Sequence, residues 1–583
     1  MTPLHDPTRI DAPKSTEGAV RPEPPASSSA LNRRHFFALG GAFGAAAGVA
    51  ALAGPPAFAQ GGTTLTPQQS ASRFLSQCTL GADLALVNEV MNAGLGSWLD
   101  AQMALPVVPF LPEVQQLIDS GAASEGDEYL YFDWVWWQRA MTAPDVVRTR
   151  VAFALSQIFV ISRRVELLLD TPKATAAMQD LLLRGAFGNF RDLLRDVALN
   201  PAMGFYLSHL FNRRSDPAQN RFPDENFARE VMQLFSIGLH ELNPDGTWML
   251  DSAGQPIPTY GNAQITEMAK IFTGLAMTPV GDLPIDFGDI LPTWDQPMVM
   301  YEPEHEPGPK TLLNGLVVPA GQTGMQDIEM AIDNLFQHPN VGPFLGTHLI
   351  KFLVTSNPSP AYVARVSAAF ADNGTGVRGD MKAVVKAVLL DVEARDVTRI
   401  DDPQFGRVRE PFGRWVQIGR AFHATSASGR FRHYGGDDVD EAGFLQQYPY
   451  FAPSVFNFFS PNHQPPGPLA AAGLVAPELE IIHAYTSVAA MNRIGHAVVN
   501  GEYLRDRFET AIPLDLATEV GIAQTSPTAL VDHLDLLLTY GTLSGGTRQI
   551  ILDAIMPLSG DPNAQVQLAI YLMLVCPEFG VQR

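Results

Sequence analysis

The spacing of apolar residues most constrains what this chain can fold into. From residue 66 onward they recur mostly every three or four positions, and the alternation typical of strands is scarce. The stretch "LYFDWVWWQRAMTAPDVVRTRVAFALSQIFVISRR" predicts two long apolar helices with a turn near Pro144. Further helices are expected at 173–184, 189–198, 224–237, 262–273, 325–336, 343–354, 359–371, 378–392, 406–423, 476–496 and within 527–575. We predict a mainly α fold: a large multi-helix assembly with long irregular loops and at most a small β-hairpin.

Local signals support the first helix and two loop insertions. Thr66 is a candidate N-cap, with Pro67 in the first turn and Gln69 three residues after the threonine. Long loops are expected near 239–261 and 277–323, and loops of this length are usually functional or disordered. Short strands could pair within 247–260 and 309–319, where "KTLLNGLVVPAG" has a hairpin pattern. One helical domain over 60–583 would carry both insertions.

The first 59 residues predict an export signal. Residues 1–30 are rich in Pro, Ser and Ala without apolar periodicity, which is typical of disorder. Arg33 and Arg34 then precede a weakly apolar, Gly/Ala-rich stretch that ends in Ala57-Phe58-Ala59, a pattern that signal peptidase accepts. The arginine pair predicts twin-arginine export, and therefore a periplasmic or secreted protein. The alternative, a membrane anchor, needs a longer and more apolar run. No membrane contact is expected after cleavage.

Charge and cysteine content exclude several classes of protein. A net charge of −22 argues against nucleic acid or an anionic membrane as partner. Two cysteines are too few for a Cys-rich zinc site. In an oxidising compartment Cys78 and Cys576 could form a disulfide between the first and last helices; the alternative is two buried thiols. No metal site is predicted and the cofactor is unknown, although folding before export is compatible with cofactor loading.

An unusual polar set begins the helix in "RFPDENFAREVMQLFSIGLHELNPDGT". Glu225, Asn226, Arg229, Glu230 and Gln233 fall on one arc, opposite an apolar face. An exposed surface helix with a Glu225–Arg229 ion pair explains this pattern. A wall of a cleft explains it too, because asparagine and arginine between two acids suit directed hydrogen bonds.

Weaker candidates lie downstream. Glu267 and Lys270 could face the polar arc from the next helix, or form a solvated pair. His305, between Glu304 and Glu306, could bind substrate or a cation, or lie in a solvated loop.

A further set of charged residues lies in "REPFGRW". Arg409, Glu410 and Arg414 could form an internal ion-pair network or bind an anion.

A family resemblance covers about 70–583. It rests on ordered segments of the chain: "RFLSQCTLGA", "RTRVAFALSQIFVIS", "NPAMGFYLSHL", "PDENFAREVMQLFSIGLHELN", "ITEMAKIFTGLAM", "HEPGPKTLLNG", "HPNVGPFLGTHLIKFL", "REPFGRWVQIGRAF" and "CPEFGVQR". Together they resemble the bacterial exported family called domain of unknown function 1800. The resemblance implies export and a mostly helical fold but no established activity. It also implies a possible co-exported, sulfatase-like partner. Many members carry His-x-His where this chain has Ser156-Gln157-Ile158, so a metal site built on those histidines is not expected here.

Two functions remain open from the sequence. The first is an enzyme acting on a polymer such as a glycan, with Glu225, Glu230 or Glu267 as acid and base. Asn226, Arg229, Lys270 and His305 would then bind substrate. The second is a non-enzymatic exported binding or assembly protein that works beside a partner enzyme. Convergence of two titratable groups on a pocket, one with a displaced pKa, would favour the enzyme.

Overall fold

The computed structural model describes residues 64–123, 127–427, 431, 445–504 and 512–583. All of them lie in one unit, Phe58–Arg583. The predicted disordered segment and twin-arginine signal over residues 1–59 fall outside the described residues.

Helices dominate the described chain, which confirms the mainly α prediction. In the first half they span Pro67–Cys78, Leu84–Ala93, Leu95–Ala104, Leu111–Ser120, Leu130–Thr142, Val146–Ser156, Glu166–Leu169, Pro172–Gly185, Phe190–Ala198, Pro201–Tyr206, Asn226–Gln233 and Asn262–Ile271. In the second half they span Gly324–Phe336, Val341–Leu353, Pro360–Ala371, Met381–Leu389, Val392–Arg395, Pro411–Ala421, Pro468–Ala471, Ala484–Val499, Ala517–Thr525, Pro527–Thr539, Gly545–Ile555, Pro562–Val575 and Pro577–Gly580. Short 3-10 turns lie at Pro217–Gln219, Glu302–Glu304, Leu313–Gly315, Val397–Ile400, Pro477–Glu480 and Met556–Leu558.

The start of the first described helix follows the sequence signal. Thr66 accepts a hydrogen bond from the N–H of Gln69, and the Gln69 side chain accepts one from the N–H of Thr66. Each bond satisfies a backbone donor near the end of the helix. The predicted capping residues at Thr66 and Gln69 are therefore confirmed.

Strands are confined, in the part of the chain that the structure describes, to three antiparallel pairs of two residues each. Leu275–Ala276 pairs with Val299–Met300, Lys310–Thr311 with Val317–Val318, and Arg407–Val408 with Val581–Gln582. The second pair confirms the hairpin predicted within 309–319. The third joins the start of the Pro411–Ala421 helix to the last described residues.

The predicted loop at 239–261 contains a small ordered ribbon. Glu241 donates from its N–H to the carbonyl of Ile257 at 2.8 Å, Met249 to Glu241 at 2.8 Å, and Ile257 to Met249 at 3.0 Å. Each of three short segments, spaced eight residues apart, therefore bonds the other two. Turns at Gly246 (φ 79°) and Gly254 (φ 75°) connect them, and glycine adopts this left-handed conformation without strain. The segment predicted as an irregular loop is therefore partly ordered by backbone hydrogen bonds.

A buried ionic network lies in the core beside Glu410. Arg407 contacts Glu410 at 2.6 Å and Glu478 at 2.7 Å, and Arg150 approaches Glu410 at 3.4 Å. The ion-pair network predicted around Glu410 exists, but its cations are Arg407 and Arg150. Arg409 instead donates to the side chain of Gln417 at 2.6 Å.

Cys78 and Cys576 are free thiols, and both are buried. Burial raises the pKa of Cys78 well above its ordinary value and that of Cys576 to about 12. The disulfide considered for this pair is therefore not formed. Two separate buried thiols behave as small apolar side chains in a helical core.

The 277–323 loop is held to the core by a second buried cluster. His305 Nε2 lies 2.9 Å from Asp327 Oδ2, and Lys310 Nζ contacts the same oxygen. The other ring nitrogen of His305 lies 2.9 Å from the carbonyl of Thr273. His305, Lys310 and Asp327 are each at least 97% buried. The predicted solvated position of His305 beside Glu304 and Glu306 is wrong, because its carboxylate partner comes from the Gly324–Phe336 helix.

Replacing Asp327 by Asn should destabilise the protein in a pH-dependent way. Burial alone would raise the pKa of Asp327, but hydrogen bonds from His305, Lys310 and Gln322 outweigh burial and lower it. The stabilisation is thus present above the ordinary value of 3.8 and lost as pH falls through the lowered pKa. We expect D327N to lose about 3–5 kcal/mol of unfolding free energy at pH 7, because a buried lysine is left unpaired.

The measurement is urea unfolding at pH 7 and across the acidic range. Asp333→Asn is the matched control, since Asp333 lies on the same helix and its exposed side chain pairs with Arg191. That change should cost no more than about 1 kcal/mol. Equal effects of the two substitutions at pH 7 would contradict the assigned role of Asp327.

Candidate functional site

The polar arc lies on the Asn226–Gln233 helix, named here the carboxylate helix. Asp224 starts it by accepting a hydrogen bond from the N–H of Asn226 at 2.8 Å. The helix ends four residues before the predicted 237. From Phe235 on, N–H groups bond five or six residues back, with Gly238 donating to the carbonyl of Met232 at 3.0 Å. Gly238 adopts a positive φ of 73°, the conformation that commonly follows a helix end.

Glu230 is the buried member of the arc. Its exposed fraction is 5%, and no donor among the described residues reaches its Oε2 atom. Burial raises the pKa of Glu230, and the nearby Arg229 offsets only part of this effect. A carboxyl group in such surroundings keeps its proton to higher pH than an exposed glutamate, as a general acid must.

Tyr260 is a neighbour of Glu230 that sequence reasoning missed. Its hydroxyl is buried and, within the described ranges, neither donates nor accepts a hydrogen bond. Burial and then the charge of Glu230 raise the pKa of Tyr260 to about 12, so the hydroxyl stays protonated. Its position just before Gly261, where the next helix begins, was the one available signal.

Glu225 and Arg229 form the half-exposed part of the site. The guanidinium of Arg229 lies 3.6 Å from Glu225, which confirms the predicted ion pair. The other oxygen of Glu225 accepts a hydrogen bond from the hydroxyl of Thr266 at 2.8 Å, on the packed Asn262–Ile271 helix. Arg229 also acts electrostatically on Glu230 and Tyr260. These interactions link Arg229 and four other side chains, those of Glu225, Glu230, Tyr260 and Thr266.

Two predicted residues hold the next structural layer. Glu267 accepts from Lys270 at 2.5 Å through one oxygen and from the N–H of Thr311 at 3.0 Å through the other. Both oxygens of Glu267 are therefore engaged, one within its own helix and the other in tying the Asn262–Ile271 helix to the Lys310–Thr311 strand. Lys270 keeps a quarter of its side chain exposed.

The remaining predicted residues differ in access. Asn226 is exposed at the start of the carboxylate helix. His305 is buried, and its ring nitrogens already face Thr273 and Asp327, so a substrate contact would require it to leave these partners. That the seven predicted residues form a single functional site remains a prediction.

The acids considered as cation ligands beside His305 have other partners. Glu304 lies 3.4 Å from Arg213 and 3.8 Å from Arg221, while Glu306 accepts from the N–H of Ser215 at 3.0 Å. Within the described ranges, no group of three or more His, Cys, Asp or Glu side chains is arranged to hold a metal ion. Nor does any described helix combine the length and apolar character that a membrane crossing requires.

The structure is that of a helical protein in which the carboxyl groups of Glu225 and Glu230 have different surroundings. Both lie where the carboxylate helix packs against the Asn262–Ile271 helix. The chain belongs to the family described as protein of unknown function (DUF1800), whose sequence model matches residues 73–581. Comparisons with curated proteins and with solved structures found no match.

The stability of a Glu230→Gln variant should rise relative to the native protein as pH increases. The folded pKa of Glu230 is raised above its ordinary value of 4.5, so the contribution of its proton is complete below 4.5 and is lost as pH rises through the folded pKa. Glutamine resembles the protonated form. We expect equal unfolding free energies near pH 4 and an advantage for E230Q of less than about 2 kcal/mol near pH 8.

Urea unfolding at a series of pH values measures this difference. Glu225→Gln is the control, because Glu225 lies on the same helix with a half-exposed side chain, and the change should cost no more than about 1 kcal/mol. A loss of stability in E230Q at pH 8 would contradict the unpartnered state of its carboxyl group.

Proposed function

We propose that this protein is an exported enzyme that cleaves a polymer such as a glycan. Glu230 would be the general acid and Glu225 the second carboxyl group of the pair. The observation that carries the proposal is the contrast between two carboxyl groups. Glu230 is buried with an unpartnered oxygen and a raised pKa, whereas Glu225 is half exposed and held by Thr266 and Arg229. Unlike environments that separate the protonation of two carboxyls are the basis of acid–base pairs.

The neighbouring side chains have roles that fit this chemistry. Arg229 lies 3.6 Å from Glu225 and can bind an oxygen of the substrate. The Tyr260 hydroxyl is a protonated donor next to Glu230. Asn226 and Lys270 have exposed polar groups for substrate binding. Glu267 and His305 support the site, because their polar atoms already hold the adjoining strand and loop.

The ribbon after the carboxylate helix is a second observation in favour of a polymeric substrate. Its base adjoins the site: Thr259 bonds to Gly238 and Leu239, and the next residue is Tyr260. Trp248 is 57% exposed on this ribbon. An exposed indole is a flat, amphipathic surface on which the apolar face of a sugar ring can pack.

Export and partnership complete the proposal. The arginine pair and the Ala57-Phe58-Ala59 pattern support twin-arginine export to the periplasm or the medium. A co-exported sulfatase-like protein, which the family resemblance suggests as a partner, would work in the same pathway.

Activity screening tests the catalytic assignment. The purified chain without residues 1–59 should cleave at least one member of a glycan panel, and E230Q should lower kcat by about 10²–10⁴-fold because the general acid is lost. The alkaline limb of the kcat/KM profile should follow the raised pKa of Glu230. Asp532→Asn, at an exposed ion pair with Arg548, is the control and should retain native kinetics.

Two outcomes would reject the assignment. Cleavage retained by E230Q would exclude Glu230 as the acid. Saturable glycan binding without turnover would instead support the binding or assembly protein considered from the sequence.

Export can be tested separately. Replacing Arg33 and Arg34 by Lys keeps the charge but should hold the precursor in the cytoplasm, because the signal requires the arginine pair. Immunoblots of periplasmic and cytoplasmic fractions measure the effect. Replacement of Arg9 and Arg21 by Lys, in the same N-terminal region, is the control. Normal export of the Arg33/Arg34 variant would exclude the twin-arginine route.

A further inference from the structure

A small cleft lined by four arginines lies apart from the carboxylate helix. It is named here the arginine cleft. The end of the Pro67–Cys78 helix, the Val146–Ser156 helix and the start of the Pro411–Ala421 helix enclose it. Its charged and amide side chains include those of Arg150, Arg407, Arg409, Arg414, Glu410 and Gln417.

The arginines differ in how well their donors are satisfied. Arg407 donates to Glu410, Glu478 and the Phe352 carbonyl. Arg150 and Arg409 are each 5% exposed, yet Nη1 of Arg150 and Nε of Arg409 have no acceptor among the described residues.

Arg414 is a further arginine of the cleft, and it is only partly buried. It lines the cleft, and its side chain makes no hydrogen bond or ion pair within the part of the chain that is described. Three arginines therefore have donors available for a ligand.

Positive charge exceeds negative charge around the cleft. Four guanidinium groups are accompanied by the carboxylates of Glu410 and Glu478. Burial raises the pKa of Glu478, and the charge of Arg407 opposes this effect. Burial lowers the pKa of Arg150 to about 10, and burial together with the charge of Arg409 lowers that of Arg414 to about 10. Both remain cations at neutral pH, and uncompensated buried charge is unfavourable.

The helix that begins at the cleft adds to the positive potential. The Glu410 side chain does not cap Pro411–Ala421, because its carboxylate is bound by arginines and glutamines. The N–H of Phe412 donates to the side chain of Gln447 at 3.4 Å, which leaves the N–H of Gly413 as the one available for an anion in the first turn. Gly413, in its first turn, lines the cleft. The N-terminus of a helix attracts anions through its free N–H groups and its dipole.

The size of the cleft limits the ligand. About 30 Å³ is open to the centres of water-sized atoms. A single water needs roughly 10–15 Å³ by this measure. The space therefore suits one small charged group and excludes a folded chain or a polymer segment.

We propose that the arginine cleft binds a small oxyanion: a carboxylate, sulfate or phosphate, either free or at the end of a larger ligand. Planar guanidinium groups match such oxygens in charge and geometry. The protein carries a net charge of −22, so its surface as a whole repels anions. Saturable anion binding would therefore identify a specific site. The proposal is independent of the catalytic role assigned to Glu230.

Calorimetric titration of the chain without residues 1–59 tests the proposal. Inorganic phosphate and inorganic sulfate are titrated at an ionic strength held constant with sodium chloride, and phenyl phosphate tests an anion attached to a larger group. Arg414→Gln should weaken binding at least about tenfold, the usual effect of losing one charged hydrogen bond. Arg548→Gln removes an arginine that pairs with Asp532 outside the cleft, and it should change the Kd by no more than about twofold.

Each outcome decides the proposal. Binding that R414Q weakens and R548Q preserves supports it, and tighter binding of phenyl phosphate than of phosphate shows that the anion belongs to a larger ligand. Equal binding by R414Q and the native chain, or no saturable binding, overturns it.

Anomalous diffraction from crystals soaked in selenate provides a second measurement without a variant. A selenium peak in contact with Arg150, Arg409 or Arg414 supports the site. Peaks only elsewhere indicate an adventitious ion only and overturn the proposal.

Discussion

Arg407 is the side chain on which the described core most depends. Its guanidinium donates to Glu478, to Glu410 and to the carbonyl of Phe352. One buried cation thereby joins the end of the Val341–Leu353 helix, the start of the Pro411–Ala421 helix and the turn at Glu478. A buried ion pair contributes little net stability by itself, but removal of one partner leaves an uncompensated charge that costs about 3–5 kcal/mol. The network therefore fixes which segments meet, and the helices pack around that arrangement.

Two buried carboxyl groups of this protein, Glu410 and Glu230, differ in how fully their oxygens are hydrogen-bonded. Glu410 is 4% exposed, but arginines and glutamines occupy its oxygens and lower its pKa against the effect of burial. Glu230 is equally buried at 5%, yet one oxygen has no donor among the described residues and its pKa is raised. Burial is the same, so the partners account for the difference. Both oxygens of Glu410 are hydrogen-bonded, whereas Oε2 of Glu230 is not. Glu230 lies on the polar helix face that the sequence indicated.

Local features of the chain were predictable and contacts between distant segments were not. The Thr66 cap, the helix periods and the 310–318 hairpin depend on residues close in sequence, so patterns reveal them. The partner of His305 is Asp327, 22 residues away, and proximity in sequence favoured its neighbouring glutamates instead. Tyr260 was missed because an aromatic residue in a loop has no periodic signal. The pairing of short strands within 247–260 was predicted, but the third segment of the ribbon, around Glu241, was not, because it bonds to both of the others across the turns.

The polar arc shows how far a sequence pattern can define a site. Its amphipathic spacing correctly separated polar from apolar residues, and the ion pair of Glu225 with Arg229 followed from their separation of four. The same pattern treated Glu225 and Glu230 as equivalent acids. Packing makes them different, since the Asn262–Ile271 helix supplies Thr266 to Glu225, whereas Tyr260 lies near Glu230 without bonding it. Acid–base function needs this asymmetry, which arises from neighbours that lie more than 25 residues away in the chain. The sequence can therefore indicate the residues of such a site, while the division of their roles comes from the tertiary structure.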